Sequence, residues 1–197
     1  MSSELDSVDS IPPWNFKWVV KGELAIMGYP KSKENIKYLV ENGIVHLVSL
    51  SPEKQPPFEY FPFNFRWTPI DVLEYEPPSM DQIHAFINTC KVALFNKEGL
   101  AVHCRLGRGR SGTMAACYLV GIYNQKPDRA VTTIRMLQPG AIETYSQEKM
   151  VRTYYDVVRS REEEQLMEEV EAFIGRLPRP KWDFKFRPRR IIDELDF

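Results

Sequence analysis

The sequence predicts an α/β domain, a mainly parallel central sheet flanked by helices, followed by a helical and then irregular C-terminal extension. The run Ile44-Val45-His46-Leu47-Val48-Ser49-Leu50 has the length and β-branching of a strand buried on both faces. Segments of helical periodicity stand before and after it, at 32–42 and from 80 to about 96, so helices are expected on both sides of the sheet. Beyond Val158 charge takes over: Arg161–Glu171 holds six glutamates, and Arg176–Arg190 holds seven basic residues against Asp183 alone.

The elements follow in chain order. A polar lead, residues 1–12, precedes two short β-prone runs, 14–20 and 23–27, joined by Lys21-Gly22. Ser32 is placed to cap a helix whose apolar positions Ile36, Leu39 and Val40 share a face, and Asn42-Gly43 ends it. After the central strand, Pro52, Pro56 and Pro57 mark a loop, and Phe65–Ile70 reads as a strand feeding an acidic loop, Asp71–Pro78. Ser79 and Gln82 match a capping box, in which the serine hydroxyl and the glutamine side chain satisfy each other's backbone N–H. Ile83, Phe86, Ile87, Cys90 and Leu94 then continue one helical face. Leu100–His103 is a short strand, Cys104–Arg110 a glycine- and arginine-rich turn, and Met114–Val120 a buried helix. Pro127 opens a helix that stops at Pro139-Gly140, and Ser146 is expected to cap the next, which runs through Val158. Residues 159–197 form the extension, a solvated helix or a continuation of the one before, and then a basic tail interleaved with Trp182, Phe184 and Phe186.

Composition narrows the function classes. With 43% hydrophobic and 27% charged residues in 197, the chain fits one ordinary soluble domain with an appended tail, not a collagenous or low-complexity protein. Its 26 basic and 27 acidic residues leave a net charge of −1, so any electrostatic preference for a partner is local. Cys90, Cys104 and Cys117 lack the spacing of a disulfide framework or a zinc site, which suits a reducing compartment. No secretory signal opens the sequence and no apolar stretch is long enough to span a membrane, so a cytoplasmic location, extending to the nucleus, is expected. Cys90 and Cys117 read as core residues, His46 as a satisfied strand residue and His84 as a helix-surface one.

The chemistry concentrates in Val102–Gly112. A cysteine and an arginine stand six apart with Gly107 and Gly109 between them and a hydroxyl residue, Ser111, directly after, where a strand feeds a helix. Backbone N–H groups of such a loop converge at a helix N-terminus into an anion site for the oxygens of a phosphate, and the Arg110 guanidinium adds a bidentate fork. The same donors favour the thiolate and make Cys104 a nucleophile at neutral pH, while Ser111 can donate a hydrogen bond to the sulfur. The reaction also needs a group that protonates the leaving oxygen and later activates water, and a carboxylate on a loop across the site serves both. Asp71 is the first candidate; Glu74 and Glu76 of the same loop come next.

This segment resembles the cysteine-dependent protein phosphatases of the His-Cys-x5-Arg-Ser/Thr type. It is most similar to the small atypical dual-specificity phosphatases of the type numbered 23. His103–Val120, Leu137–Lys149 and His46–Leu50 carry that resemblance within residues 13–158. The resemblance implies a protein-tyrosine-phosphatase-like fold and a phosphocysteine intermediate on Cys104. It implies further that Arg110 binds phosphate and stabilises the transition state, and that His103 orients the loop. Asp71 takes the place of the family's general acid, although here it follows Pro69-Ile70 and sits in a longer loop; Gln147 matches the position that places the hydrolytic water. The loop Arg105-Leu106-Gly107-Arg108-Gly109-Arg110 would cradle the phosphate, with no metal or cofactor.

The expected substrate is a phosphorylated protein, phosphotyrosine first and phosphoserine or phosphothreonine besides, acted on by a monomer. Arg105 and Arg108 add two cations that either favour a substrate with more than one phosphate or point to solvent and pair with carboxylates of the Asp71 loop. An alternative reading is therefore a phosphoinositide or RNA 5′-phosphate phosphatase. A reading of another class is a non-catalytic phosphate-binding adaptor whose basic loop or tail recruits an acidic partner, RNA or phosphoinositide.

Overall fold

The computed structural model describes residues 8–51 and 53–176. The first seven residues of the polar lead and the basic, aromatic tail after Arg176 lie outside the described residues. Five strands, β1 (Lys17–Val20), β2 (Leu24–Met27), β3 (Ile44–Ser49), β4 (Arg66–Pro69) and β5 (Gly99–His103), form one sheet in the order β1-β2-β5-β3-β4. Only β1 runs antiparallel to its neighbour; the β2–β5, β5–β3 and β3–β4 pairs are parallel. The helices are α1 (Lys33–Glu41), α2 (Met80–Phe95), α3 (Gly109–Tyr123), α4 (Pro127–Leu137) and α5 (Tyr145–Arg176).

Strand alternation divides the core into two layers. Ala25, Met27, Leu47 and Ala101 face Ile36 and Leu39 of α1, while Leu24, Ile26, Val48, Leu50, Leu100 and Val102 face α2, α3, α4 and the start of α5. The β5 turn inherits this alternation: His103 shares a face with Ala101, and Cys104 falls with Val102 on the other.

Local chemistry fixes the helix ends. The Ser79 capping box closes as the sequence predicts, with Gln82 N–H donating to Ser79 Oγ at 3.2 Å and Ser79 N–H to Gln82 Oε1 at 2.7 Å. Pro127 occupies the first turn of α4, and Gly43 and Gly140 take the left-handed backbone that ends α1 and the turn after α4. Ser146 is not the cap of α5. The helix starts one residue earlier, at Tyr145, and Thr144 Oγ1 accepts from Gln147 N–H at 3.2 Å, the bond an N-cap makes to the third helical residue. Likewise α3 begins at Gly109, within the segment the sequence suggests as turn, so that Arg110 and Ser111 stand in its first turn. His84 is half-buried, with its ring 6.0 Å from that of Tyr154, and is not a plain surface residue.

Two compact units divide the chain between Ser160 and Arg161. Among the described residues no helix is long and apolar enough to cross a membrane.

Candidate active site

The loop from Cys104 to Arg108 leaves the end of β5 and becomes α3, and its amides are unspent. None of the N–H groups of residues 105–111 donates to a protein acceptor among the described residues, whereas the next one, Gly112 N–H, closes the first helical bond to Arg108 C=O at 3.0 Å. Donors left open at a helix N-terminus are the physical basis of an anion site. Gly107 makes the turn possible: its φ is +74°, and a Cβ there would lie 2.6 Å from Gly28 N. The loop is thus pressed on the end of β2, where Tyr29 N–H donates to Arg105 C=O at 3.3 Å and Asn15 Nδ2 to Leu106 C=O at 2.8 Å.

Within this cradle Cys104 Sγ lies 3.3 Å from Ser111 Oγ, and both residues are buried. Arg110 is only 2% exposed, and its contacts can be assigned donor by donor. Nη1 donates to Leu50 C=O at 3.2 Å and Val72 C=O at 3.0 Å, and the Nη1/Nη2 edge meets the Glu53 carboxylate at 3.3 and 2.9 Å. The other edge, Nε–H with the second Nη2–H, has no protein acceptor among the described residues, so one complete fork is left for an anion. Burial works against the Arg110 charge, but the hydrogen-bonded Glu53 carboxylate and the field of Cys104 outweigh it and hold the guanidinium protonated more firmly than usual. Glu53 responds in kind: its bond to Arg110 holds its carboxyl below the ordinary range. Glu53 has no signature in the sequence, since an acidic residue in a proline-marked loop carries no signal of what it will face.

His103 is completely buried, and desolvation pushes its pKa down to about 4, so the ring is neutral. Its Nδ1 lies 3.4 Å from Cys104 C=O and its Nε2 2.6 Å from Ser49 Oγ, which also accepts from Trp67 Nε1–H at 2.8 Å. A carbonyl can only accept, so the single ring proton sits on Nδ1, and the Ser49 hydroxyl donates to Nε2. The Trp67–Ser49–His103 chain therefore ends on the backbone carbonyl of the cysteine. Ser49 stands opposite His103 in the β3–β5 register, yet the sequence alone does not show that these strands are neighbours.

The acidic loop closes the other side. Asp71 is exposed, and its backbone carbonyl accepts from Gln82 Nε2 at 2.6 Å, while the next carbonyl, that of Val72, is the one held by Arg110. Glu74 pairs with Arg105 at 2.8 Å, and Glu76 contributes its carbonyl to Gln147 Nε2 at 3.3 Å. Gln147 is fully buried, bonded also to Glu143 N–H at 2.9 Å, and lies against Gly109 beside the Glu143 carboxylate. Arg108 has a buried Nε with no partner and no ion pair among the described residues; its stem passes the Gly140 turn. Leu106 shows its side chain to solvent, as do Leu73 and Tyr75 of the acidic loop. Desolvation raises the pKa of Cys90 and Cys117, as expected for thiols of the core.

A buried cysteine, an open amide cradle and a paired arginine stand together in the span that matches a known family: residues 13–151 fit the description "Swiss Army Knife protein, DSP-PTPase phosphatase domain". The chain belongs to this phosphatase-domain family. Among similar proteins, mouse dual specificity protein phosphatase CDC14A is 29% identical over 155 residues, 72% of this chain and 25% of that protein. Mouse protein tyrosine phosphatase domain-containing protein 1 is 32% identical over 164 residues, 70% of this chain and 21% of that protein. The chain thus spans about a quarter of the length of these curated relatives. The solved structure of PTPMT1 in complex with PI(5)P superposes with a TM-score of 0.67 at 15% identity, covering 74% of this chain and 97% of that one. The DSP-PTPase fold, a mostly parallel sheet between helices, is therefore the fold of this protein.

Proposed function

We propose that residues 13–158 hydrolyse phosphate monoesters through a phosphocysteine on Cys104, with phosphotyrosine on proteins as the first substrate and phosphoserine or phosphothreonine besides, and that 159–197 is an extension outside the catalytic domain. The observation that carries this is the set of unspent amides of residues 105–111 around Cys104, together with the single free fork of Arg110. Within the family, His103–Val120 and Leu137–Lys149 keep the chain beside the small atypical members of the type numbered 23.

In the first step the Cys104 sulfur attacks phosphorus, the bond from phosphorus to the substrate oxygen breaks, and Asp71 gives that oxygen its proton. Water then attacks the phosphocysteine, the Asp71 carboxylate takes the proton released, and the sulfur–phosphorus bond breaks with Ser111 hydrogen-bonded to the departing sulfur. The loop amides and the Arg110 fork hold the three equatorial oxygens through both steps. Gln147 positions the water, and His103 holds the Cys104 backbone. Asp71 is preferred over Glu74, which is engaged with Arg105, and over Glu76; the Gln82 and Arg110 bonds fix the loop beside the cradle without using the Asp71 carboxyl.

A second reading, a substrate with more than one phosphate, is favoured by one observation, the unpaired Arg108. The Arg105–Glu74 pair weighs against it, because it neutralises the other extra cation. The exposed Leu106 of the cradle loop and Leu73 and Tyr75 of the acidic loop suit the ring of a phosphotyrosine better than a second phosphate.

The test is metal-free hydrolysis of an aryl phosphate by the protein and by Cys104→Ser, extended to matched phosphotyrosyl and phosphoseryl peptides and a phosphoinositide. Turnover lost with the serine and greatest on phosphotyrosine is expected. A phosphoinositide preference transfers the assignment to the second reading, and no turnover by folded protein leaves a phosphate-binding adaptor.

A further inference from the structure

A large apolar side chain stands in water on a turn that touches the cradle loop. Trp14 is 66% exposed, while the aromatic two positions on, Phe16, packs inward with its ring 5.6 Å from that of Trp18 and 5.1 Å from that of Tyr38. A single exposed apolar residue is ordinary on a protein surface. This one is fastened in place. Pro13 C=O accepts from Phe16 N–H at 3.1 Å, and Asn15 takes the left-handed backbone, φ +57°, found at the third position of type II turns. Pro12 and Pro13 restrict the chain that enters the turn.

The same turn is joined to the loop that follows Cys104. Trp14 C=O accepts from Gly28 N–H at 2.7 Å, and Asn15 Nδ2 donates to Leu106 C=O at 2.8 Å. A Cβ on Gly28 would lie 3.1 Å from Trp14 O and 3.4 Å from Leu106 C, so the glycine lets the main chains of Trp14 and Leu106 close on one point. Leu106 is itself 40% exposed and stands two residues after Cys104, so its Cα is at most about 7 Å from that of the cysteine. Two exposed apolar residues, one from the N-terminal lead and one from the cradle loop, thus belong to one side of the cradle.

Their chemistry selects the ligand. An indole offers an apolar face together with one N–H, and the Trp14 N–H has no protein acceptor among the described residues. An extended peptide carries the complement, an apolar side chain with main-chain carbonyls beside it. An anionic lipid surface calls for free cations instead, and Arg105, the neighbour of Leu106, is already paired with Glu74 at 2.8 Å. Because the turn is fixed beforehand, covering the indole costs little conformational freedom.

We propose that Trp14 and Leu106 form a subsite for an apolar side chain next to the phosphotyrosine of a protein substrate. The inference rests on the phosphotyrosine reading of the site and adds a sequence preference to it: a leucine, methionine or aromatic residue beside the phosphotyrosine is favoured over a small polar one. With the phosphate at the amides of 105–111, the substrate's main chain stands one tyrosine side chain further out, where the neighbouring residue meets the indole. Trp14 therefore governs which peptide binds, and not how fast an aryl phosphate is cleaved.

The experiment uses the full chain carrying Cys104→Ser and two end-labelled phosphotyrosyl peptides of matched sequence, with leucine or with serine on both sides of the phosphotyrosine. By fluorescence anisotropy the leucine peptide is expected to bind about tenfold more tightly, and Trp14→Ala to remove that advantage while leaving the serine peptide within about twofold. Trp14→Phe should keep most of it. With Cys104 intact, Trp14→Ala should raise KM for the leucine peptide about tenfold and leave kcat/KM for an aryl phosphate unchanged. Equal binding of the two peptides overturns the proposal, as does an equal loss of both in Trp14→Ala, which would make the indole a support of the cradle. Binding to phosphoinositide vesicles that depends on Trp14 more strongly than binding to the leucine peptide overturns it in favour of a lipid surface. Peptide binding in the expected order without aryl phosphate turnover would remove the phosphatase reading and keep the subsite; turnover without the preference would do the reverse, and with neither, both fall.

Discussion

Two residues without sequence signature hold the two with the clearest one. Glu53 lies 57 positions from Arg110 and Ser49 lies 54 from His103, distances that only the sheet order closes. Cys104, Arg110 and Ser111 are legible because their chemistry is contiguous; Glu53 and Ser49 are not, because their partners are chosen by strand pairing. Removing the Glu53 charge while keeping its size tests its part. Glu53→Gln is expected to lower kcat/KM for an aryl phosphate about tenfold or more while the fold persists, since one partner of the buried guanidinium is weakened. Ser111→Ala should act on the second step: a stoichiometric burst of product followed by turnover slowed by about 10- to 100-fold, read by rapid quench. A uniform loss with no burst would move Ser111 from leaving-group assistance to loop support. Ser49→Ala leaves His103 Nε2 without its donor in a dry site, which costs about 1–3 kcal/mol of stability by denaturant unfolding.

At the scale of single elements, the α2 start was readable to the atom and the α5 start was not. Ser79 and Gln82 stand at the one spacing that allows a reciprocal bond, whereas Thr144 and Ser146 both offer a hydroxyl before the same apolar run, and only the helix geometry selects Thr144. Because Gln82 also holds the carbonyl of Asp71, the α2 cap and the acid loop are mechanically one piece. Ser79→Ala should cost about 1 kcal/mol in unfolding experiments. Gln82→Ala should do the same and in addition lower turnover of substrates with poor leaving groups, measured by comparing an alkyl with an aryl phosphate. Equal effects on both substrates would detach the loop from proton transfer. Gly107→Ala meets both an unfavourable backbone conformation and the Met27-Gly28 main chain, so loss of phosphate binding greater than in any surface substitution is expected by titration with inorganic phosphate or vanadate.

For the molecule as a whole, the sheet and its two covering layers were legible from Ile44–Leu50 and the alternating helical periods, because a strand buried on both faces has few other homes. The strand order was not, since no pattern in β1 through β5 states which edges meet. That order buries two histidines: desolvation pushes both His46 and His103 down to about 4. The unfolded chain binds protons at these sites from about pH 6.5 downward while the native chain does not. Stability contributed by keeping them neutral is therefore complete above about pH 6.5 and declines as pH falls toward 4, by on the order of 3 kcal/mol for each ring. Unfolding free energies measured between pH 7 and 4 should fall accordingly, and less steeply in His46→Asn. Finally, Arg110 reaches the main chain of both Leu50 and Val72, so one side chain joins the end of β3 to the loop that carries Asp71. Deleting it as an inactive control would dismantle the architecture being tested, and a dead Arg110→Ala protein would say nothing about phosphate. Cys104→Ser, which alters one atom of a packed side chain, is the control that separates chemistry from scaffolding.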